Sequence, residues 1–336
     1  MVKMRDVAAY ANVSTATVSR VIRDPKTVKE VTRLKVLDAI ESLNYQPNMV
    51  ARQFRTNKTK NIIVVVPDIT NQFFSKVLRG IEYVAVENGY QVLLGDTEND
   101  EDSEASYTEI LKQRLADGMI LLTARMKEEK LVEMAKSYPI VLGCEYYENE
   151  SIPSVTIDNI SSARKLTDHL INLGHTRIGH ITGPMNVILS KDRLKGYLQA
   201  LSTKQIESQS LLIQEGDFTY DSGYKQMIKL LSLENPPTAV FAASDQMAMG
   251  AIKAAKSRNY RVPEDVVVVG FDNIEMSSIF EPSITTIAQP KFSLGKKAME
   301  LLLNIIDSNN SVIQKQYVLN DELIIRESCG ANYEKH

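Results

Sequence analysis

Cysteines and long apolar runs are scarce in this sequence of 336 residues, and their scarcity excludes several classes of protein. Cys144 and Cys329 lie far apart and lack the spacing of a metal or redox motif, so we expect two reduced thiols rather than a disulfide framework. No apolar run approaches the roughly 18 residues of a membrane span. The N-terminal MVKMRDVAAYANV also lacks the apolar segment of a signal peptide. These absences predict a cytoplasmic protein without a membrane partner.

The motifs of common enzyme classes are also missing. The sequence has no Walker glycine loop, no G-x-S-x-G elbow, no HExxH motif and no carboxylate pair with a clear partner. His175 and His180 flank a turn and a strand without a catalytic or ligand pattern. The acidic stretch Glu98–Glu104 is typical of a solvated helix start rather than a metal site. We therefore predict no catalytic residue, no cofactor and no metal, and an α/β sugar or nucleoside enzyme is the less favoured alternative.

Charge is distributed unevenly along the chain. Apolar residues make up 43% of the sequence and charged residues 24%, as in ordinary soluble globular proteins, and the net charge is −3. Residues 1–60, however, contain 12 Lys and Arg residues against 5 Asp and Glu residues. A basic head on an acidic body indicates binding to a polyanion, and a solvated basic surface is the alternative.

Three short helical patterns open the chain and predict a helix-turn-helix unit. The first covers Met4–Ala11, the second begins after Ser14, which can cap it, and the third runs from about Thr32 to Leu43. On the third helix we expect the inward residues to be Leu34, Leu37, Ile40 and Leu43. Two short helices joined by a tight turn and followed by a packing helix are typical of this unit.

Beyond this head, a linker leads into alternating strands and helices. Pro47 ends the helical pattern, 48–55 is a weak helix pattern, and 56–60 is a polar linker. Strand patterns cover Ile62–Val66, Tyr90–Gly95, Gly118–Thr123, Ile140–Gly143, Ser154–Ile157, Ile178–Thr182, Ala239–Ala243 and Val266–Phe271. Helix patterns cover about Phe73–Asn88, Ser162–Leu173 and Asp245–Ser257. The alternation predicts a doubly wound α/β fold, and its length favours two sheet subdomains.

Several stretches resemble the lactose/galactose repressor (LacI/GalR) family of transcription regulators. The head contains RDVAAYANVSTATVSRVI and LNYQPNMVARQF, and the core contains GHTRIGHITGP, RLKGY, EGDFTYDSGY, PPTAVFAASDQMAMGA, VPEDVVVVGFDN and PSITTIAQP. The resemblance extends to about Arg326, and VVVPDITNQFF, GDFT and LIIRES are most similar to the cytidine repressor branch. It implies an all-α helix-turn-helix head and a periplasmic-binding-protein-like α/β core. That core would contain two doubly wound parallel-sheet subdomains joined by three crossing strands, with the ligand in the cleft between them.

The resemblance also implies domain boundaries. The helix-turn-helix domain would cover 1–46, the hinge helix and linker 47–60, and the effector-binding and dimerisation core 61–336. Within the core, the N-subdomain would comprise about 61–158 and 291–320, and the C-subdomain about 161–288 and 322–330.

Residues of the head that contact DNA follow from the same resemblance. The recognition helix enters the major groove, which places Thr15 and Ala16 at base edges and aligns Arg20 with a base-contacting arginine. A phosphate contact is the alternative for Arg20. We expect Thr17 and Ser19 to position the helix through phosphate or local contacts.

The segment after Pro47 would supply the second set of DNA contacts. In this family it becomes a hinge helix on operator DNA, and an apolar side chain wedges into a base step of the minor groove. Leucine is usual at that place, and here it is Phe54, for which burial against the core is the alternative. The other implied hinge contacts are Asn48, Val50, Ala51, Arg52 and Arg55.

Residues that bind an effector are expected where strands end, because α/β proteins place binding groups there. The resemblance assigns Arg193 and Asp272 to a pair that binds hydroxyl groups, with Phe73, Phe74 and Phe218 at the cleft walls. Core burial is the alternative for each phenylalanine. Ser244 follows a strand, Gln289 lies on a predicted crossing strand, and Asp245 is more typical of a helix cap than of a ligand contact.

A regulator of this kind would bind a palindromic operator in double-stranded DNA as a homodimer, because one head reads only a few base pairs. The chain ends at SCGANYEKH without the apolar heptads of a tetramer, so we expect a dimer formed by the core. A small sugar, polyol or nucleoside would control DNA binding, and control by a protein corepressor is the alternative.

Overall fold

The computed structural model describes residues 2–45, 58–147, 152–307 and 316–331. The chain divides into two compact units, Met1–Thr59 and Lys60–His336.

The first unit is helical over its described residues. Its helices are α1 (Met4–Tyr10), α2 (Thr15–Arg23) and α3 (Glu30–Ser42), with a 3-10 turn at Pro25–Thr27. Ser14 caps α2, because its side chain accepts a hydrogen bond from the backbone N–H of Thr17 at 3.1 Å. This is the helix-turn-helix arrangement that the sequence predicts.

The buried face of α3 differs from the expectation. Ile40 and Leu43 pack against the core of this unit, but Leu34 and Leu37 are 57% and 44% exposed, so their inward placement was wrong. Apolar residues lie on more than one side of α3, and periodicity alone therefore does not identify its buried face. Contacts with α1 and α2 select the side that carries Val36, which is fully buried.

The second unit alternates strands with helices. Its strands are β1 (Asn61–Val66), β2 (Gln91–Asp96), β3 (Gly118–Leu121), β4 (Ile140–Gly143), β5 (Ser154–Ile157), β6 (Ile178–Thr182), β7 (Ile213–Glu215), β8 (Ala239–Ala242), β9 (Val267–Val269), β10 (Thr286–Ala288), β11 (Gln316–Leu319) and β12 (Glu322–Ile324). Its helices are α4 (Gln72–Glu87), α5 (Glu101–Lys112), α6 (Glu128–Ala135), α7 (Asn159–Asn172), α8 (Ile188–Thr203), α9 (Tyr220–Leu231), α10 (Asp245–Ser257), α11 (Glu275–Ile279) and α12 (Lys291–Asp307).

These strands form two parallel sheets and one small antiparallel sheet. The first parallel sheet has the order β11-β5-β4-β3-β1-β2 and the second has the order β7-β6-β8-β9. β10 pairs antiparallel with β12 in the third sheet. The predicted fold class, a helical head plus an α/β unit with two parallel sheets, is confirmed. The strand patterns did not identify the short, partly exposed β7, β11 and β12.

Close helix packing fixes α12 against the first sheet. A Cβ atom on Gly80 of α4 would lie 2.1 Å from the carbonyl oxygen of Phe292, and one on Gly295 of α12 would lie 1.9 Å from that of Val77. No side chain fits at either glycine, because backbone atoms occupy the space. The two helices therefore approach closely, and α12 begins at Lys291, two residues after Gln289.

Neither a membrane-spanning helix nor a disulfide is present in the residues that the structure describes. Among them, no helix has both the length and the apolar character needed to cross a bilayer. Cys144 and Cys329 are both buried free thiols, as predicted.

Candidate functional site

The exposed face of α2 carries the residues expected to contact base edges. Thr15, Ala16 and Arg20 are exposed, whereas Val18 and Val21 on the opposite side are buried in the core of the head. A helix of this kind can enter the DNA major groove with the exposed side chains first. The structure thus places these three on one surface.

Thr17 and Ser19 differ from them in exposure. Both are half-buried, and the hydroxyl oxygen of Thr17 lies 2.9 Å from that of Ser14. Their role in positioning the helix on DNA stays a prediction. The hinge residues Asn48, Val50, Ala51, Arg52, Phe54 and Arg55 lie outside the described residues, and their roles stay predictions.

A cavity in the second unit collects the residues expected to bind an effector. It encloses about 740 Å³, including space open to solvent, and lies at the carboxyl ends of strands from both parallel sheets. The residues that sequence reasoning assigned to the effector all line it: Phe73, Phe74, Arg193, Phe218, Ser244, Asp272 and Gln289. Residues far apart in the chain meet here because both sheets end at this cavity.

Arg193 and Asp272 form the polar centre of the cavity. Their closest side-chain atoms, Nη2 and Oδ1, are 3.9 Å apart, and both side chains are buried. Arg193 also donates from Nε to Oδ1 of Asn159 at 3.0 Å, and its guanidinium stacks 3.8 Å from the centre of the Phe271 ring. A donor and an acceptor side by side match hydroxyl groups, which both donate and accept hydrogen bonds.

Asp272 is also tied to the segment that crosses between the sheets. Gln289 Nε2 donates to Asp272 Oδ1 at 2.7 Å, and Lys291 Nζ donates to the backbone carbonyls of Asp272 and Asn273. The Asp272 backbone has a φ of 109°, a strained conformation for a residue with a side chain. Burial raises the pKa of Asp272 to about 6, although Arg193 and Lys291 oppose this increase. A ligand that bonds this carboxylate would therefore act on a strained, multiply anchored residue.

Aromatic side chains form the apolar walls. The rings of Phe73 and Phe74 pack edge to face with centroids 5.1 Å apart at the start of α4. The ring of Phe218 lies directly over Gly183, where an added Cβ would come within 2.1 Å of it. Such walls can cover the face of a sugar or a base.

The cap of α10 is Ser244, and the expectation that Asp245 caps this helix was wrong. Ser244 Oγ accepts from the backbone N–H of Met247 at 3.2 Å. Asp245 is instead fully buried and accepts hydrogen bonds from the Ile274 N–H at 2.8 Å and the Thr286 hydroxyl at 2.6 Å. It therefore joins the starts of α10 and α11 to β10.

The acidic stretch before α5 is only partly solvated. Asp100 caps α5, as expected of a helix start, but Glu104 is completely buried, which contradicts the prediction of a solvated stretch. Its carboxylate binds the backbone N–H groups of residues 125 and 126, within the segment 123–126 that follows β3 and is called the β3 loop below. Tertiary contact buries this carboxylate, since α5 packs beside β1 and β2.

Sequence reasoning missed part of the cavity lining. The additional residues are Pro67, Asn71, Asn99, Thr123, Arg125, Cys144, Val187, Leu189, Asp217, Thr219 and Gln246. Binding groups are expected where strands end, and the same expectation applied to every strand would have found many of them. Asn99, Thr123 and Asp217, for example, follow β2, β3 and β7. Val187 and Leu189 carry no comparable signal.

Buried carboxyl groups predict a stability that depends on pH. Burial raises the pKa of Asp245 to about 8 and that of Glu145 to about 8, so the folded state retains protons that the unfolded chain releases near pH 4. Because the folded state binds more protons between about pH 4 and 8, its free energy of unfolding decreases as pH rises through that range.

Asp245→Asn should therefore raise the melting temperature at pH 8 more than at pH 5. A difference of about 1 kcal/mol corresponds to roughly 2 °C for a domain of this size, and we expect at least that gain at pH 8. Thermal unfolding at both pH values measures it, with Asp168→Asn on the surface of α7 as the control. Equal shifts at the two pH values would contradict the assignment.

Comparisons with known proteins cover almost the whole chain. Residues 3–48 match the family described as "Bacterial regulatory proteins, lacI family", and residues 167–329 match "Periplasmic binding protein-like domain". The "HTH-type transcriptional repressor CytR" of Escherichia coli (strain K12) is 40% identical over 329 residues, covering 98% of this chain and 96% of that protein.

Two solved structures extend the similarity to the fold. The lac repressor dimer bound to operator and the anti-inducer ONPF matches with a TM-score of 0.88 and 29% identity, covering 98% of this chain and 99% of that one. The complex of the transcriptional regulator CelR with cellobiose matches with a TM-score of 0.75 and 32% identity, covering 98% of this chain and 100% of that one.

Proposed function

We propose that a small molecule in the cavity controls the affinity of this protein for operator DNA. The chain belongs to the lacI family of bacterial regulatory proteins and is a transcriptional repressor with a DNA-binding helix-turn-helix. The family predicted from the sequence is thus confirmed. Its relatives are named transcriptional repressors, so the chain is a regulator and the enzyme alternative is not favoured.

The cavity is the observation that carries the effector proposal. Apolar walls, convergent polar groups and the buried Arg193–Asp272 pair are typical of a site for a small polar ligand. A sugar, a polyol or a nucleoside fits this description, because each presents several hydroxyl groups and the first and last also present a flat or apolar face.

Control of DNA binding would follow from how the two sheets are connected. We assign β1–β5 and β11 to an N-subdomain and β6–β9 to a C-subdomain, joined by the crossing segments that include β10 and β12. Asp272 bonds to Gln289 and Lys291 on one of these segments. A ligand held by Asp272 would therefore stabilise one relative placement of the subdomains, and a ligand shifts an equilibrium only by such differential contacts.

The thermal-shift assay is the most direct test of effector binding, because a ligand that binds only the folded state raises the melting temperature. Nucleosides, sugars, polyols and their phosphate esters are screened against the full-length protein. Each hit is then tested for a change in operator affinity. A hit that changes operator affinity supports the proposal, whereas an exhaustive screen without one favours the protein corepressor.

A second copy of the chain is the proposed occupant of an exposed apolar face on the second unit. Tyr83 and Val86 of α4 and Leu94 of β2 are all exposed, and α4 packs against β2 on the face of the sheet that carries Leu94. β2 is an edge strand, which soluble proteins usually protect with charge or cover. The lac repressor, whose structure is similar to this chain, is a dimer when bound to operator DNA, which supports a second copy as the partner.

Leu94→Lys should weaken this dimer. We expect a dimer at micromolar concentration for the wild-type protein and a dimer dissociation constant about tenfold higher for the variant, because an unpaired charge is costly to bury. Sedimentation equilibrium measures both, and Leu211→Lys, at an exposed leucine near β7, is the control. A wild-type monomer, with and without operator, would contradict the dimer.

A further inference from the structure

The β3 loop forms one wall of the cavity and is held by two buried acids. The backbone N–H groups of Arg125 and Met126 donate to the two carboxylate oxygens of Glu104 at 2.7 and 3.0 Å, and the N–H of Ala124 donates to Glu145. Glu104 and Glu145 are 0% and 3% exposed. Three consecutive backbone donors of the loop thus end on carboxyl groups from other segments of the chain.

Burying the carboxyl groups of Glu104 and Glu145 to hold this loop lowers the stability of the folded state. Burial raises the pKa of Glu145 to about 8 and also raises the pKa of Glu104, so the folded state disfavours the charged form of each acid. The loop itself begins with Thr123 at a φ of 134°, which is unusual for a β-branched residue. Buried acids with raised pKa values and a strained backbone, both at a cavity wall, indicate a role in binding.

The loop determines where two side chains of the lining lie. Thr123 and Arg125 both line the cavity. Arg125 Nη2 donates to Asn99 Oδ1 at 2.7 Å, so its guanidinium is held at the rim of the first sheet. A shift of the β3 loop would displace this donor, because its backbone anchor is the Arg125 N–H that Glu104 holds.

Acidic side chains close to the cavity offset the positive charge of the two arginines that line it. Arg125 interacts electrostatically with both Glu104 and Glu145, and Arg193 faces Asp272. Asp68 and Asp217 add further acid to the described lining. The arginines therefore offer hydrogen-bond donors to a ligand without a surplus of positive charge, and a phosphate group would meet nearby carboxylates.

We propose that Glu104 and Glu145 are positioning residues that hold the β3 loop, and that they make the cavity select an uncharged polyhydroxylated ligand over its phosphate ester. This inference rests on the proposed effector control of the same cavity.

Glu104→Gln tests the positioning role. Glutamine has one acceptor oxygen for two N–H donors, so one amide of residues 125 and 126 loses its partner. We expect the exchange rate of that amide in the ligand-free full-length protein to rise about tenfold, and the affinity for the tightest of cytidine, ribose and cellobiose to fall about tenfold. Unchanged exchange rates would overturn the positioning role.

A matched control distinguishes this effect from a general loss of charge. Glu109→Gln removes an exposed carboxylate from the same helix, where it pairs with Lys112 at 2.7 Å. We expect neither the amide exchange of the β3 loop nor the affinity for the probes to change. If Glu104→Gln fails to fold, Glu145→Gln still tests the selectivity.

Glu145→Gln removes the ionisable group but keeps the hydrogen bond, because the glutamine side-chain oxygen can still accept from the Ala124 N–H. The probes are cytidine against cytidine 5′-monophosphate and ribose against ribose 5-phosphate, at pH 7.5 and pH 9. In the wild-type protein we expect the ester to bind at least about tenfold more weakly than its parent, with a larger ratio at pH 9 as Glu145 ionises. In the variant the ratio should grow less with pH than in the wild-type protein, because Asp245, whose pKa burial also raises to about 8, still ionises in both proteins.

Other titratable groups around Glu145 do not produce this pattern. Arg125 stays charged, and burial raises the pKa of Cys144 and Tyr147 so that both stay protonated at pH 9. Glu104 and Asp245 are present in both proteins, so their titration cancels when the two proteins are compared. A ratio that changes equally with pH in the two proteins would overturn the assignment to Glu145.

The outcomes separate this inference from the proposed function. An ester that binds the wild-type protein as tightly as its parent, or more tightly, leaves effector control intact and overturns the selectivity. A full screen in which nothing binds overturns the proposed effector control and the selectivity with it. In that case the exchange rates of residues 125 and 126 decide the positioning role by themselves.

Discussion

Asp272→Asn is expected to lower the affinity for the effector by about ten- to hundredfold, the range that corresponds to a hydrogen bond with a charged group. Asparagine keeps an oxygen that can accept from Gln289 but loses the charge that faces Arg193 and the cavity. Affinity for operator DNA without effector should stay close to that of the wild-type protein, because Asp272 belongs to the second unit and not to the exposed face of α2.

The melting temperature distinguishes a sensor residue from a structural one. Burial raises the pKa of Asp272, so its charged form opposes folding, and Asn should not destabilise the protein at neutral pH. Arg193 keeps its hydrogen bonds to Asn159 and to the carbonyl of Ala243 in the variant. Asp265→Asn, at an acid that pairs with Arg261, is the control.

Three measurements on these variants decide the assignment: melting temperature, effector affinity and operator affinity. Linkage requires that the factor by which effector changes operator affinity equals the factor by which operator changes effector affinity, and such couplings are typically about 1–3 kcal/mol. Asp272→Asn should shift the effector concentration at which operator affinity changes. A wild-type response to effector in Asp272→Asn would place the binding site elsewhere and favour the protein corepressor.

Arg20→Ala should lower specific operator affinity by roughly 1–3 kcal/mol for each head, and thus by about twice that for a dimer on a palindrome. Arg20 is exposed on the same surface as Thr15 and Ala16. Its guanidinium can bond a guanine edge with two hydrogen bonds, which alanine cannot replace. Base preference at one position of each half-site should relax together with affinity.

Lys58→Ala, in the polar linker 56–60, is the comparison for Arg20→Ala. Loss of one phosphate contact weakens binding to all sequences and lowers the slope of log affinity against log salt by roughly one per head. Titrations on operator and on random DNA at several salt concentrations separate the two kinds of contact. Equal loss on operator and random DNA for Arg20→Ala would assign Arg20 to phosphate instead.

Residues at strand ends were the predictable part of the site. Asp272 follows a run of valines and Ser244 follows AVFAA, and parallel strands bring their carboxyl ends to one edge wherever they occur in the chain. Resemblance to a family contributed Arg193, which lies within a helix, and Gln289. The same rule, applied to β2 and β3, points to Asn99 and Thr123 as well.

Side chains whose surroundings come from distant segments were not predictable. Glu104 belongs to an acidic run that is typical of a solvated helix start, yet it is buried because the β3 loop folds onto α5. Leu34 and Leu37 fit an inward stripe, but α1 and α2 contact another side of α3. Asp245 has the position of a helix cap, yet it bonds to Ile274 and Thr286.

The sequence by itself determined the helix-turn-helix head, the alternation that produces parallel sheets, and the basic head on an acidic body, because these depend on local periodicity, capping and charge. Only the tertiary structure decided which acids are buried, how Asp272 is tied to the crossing segment, and which side chains share the cavity. Those features depend on contacts between segments far apart in the chain, and the pKa and burial of a side chain are set by such contacts rather than by its neighbours in sequence.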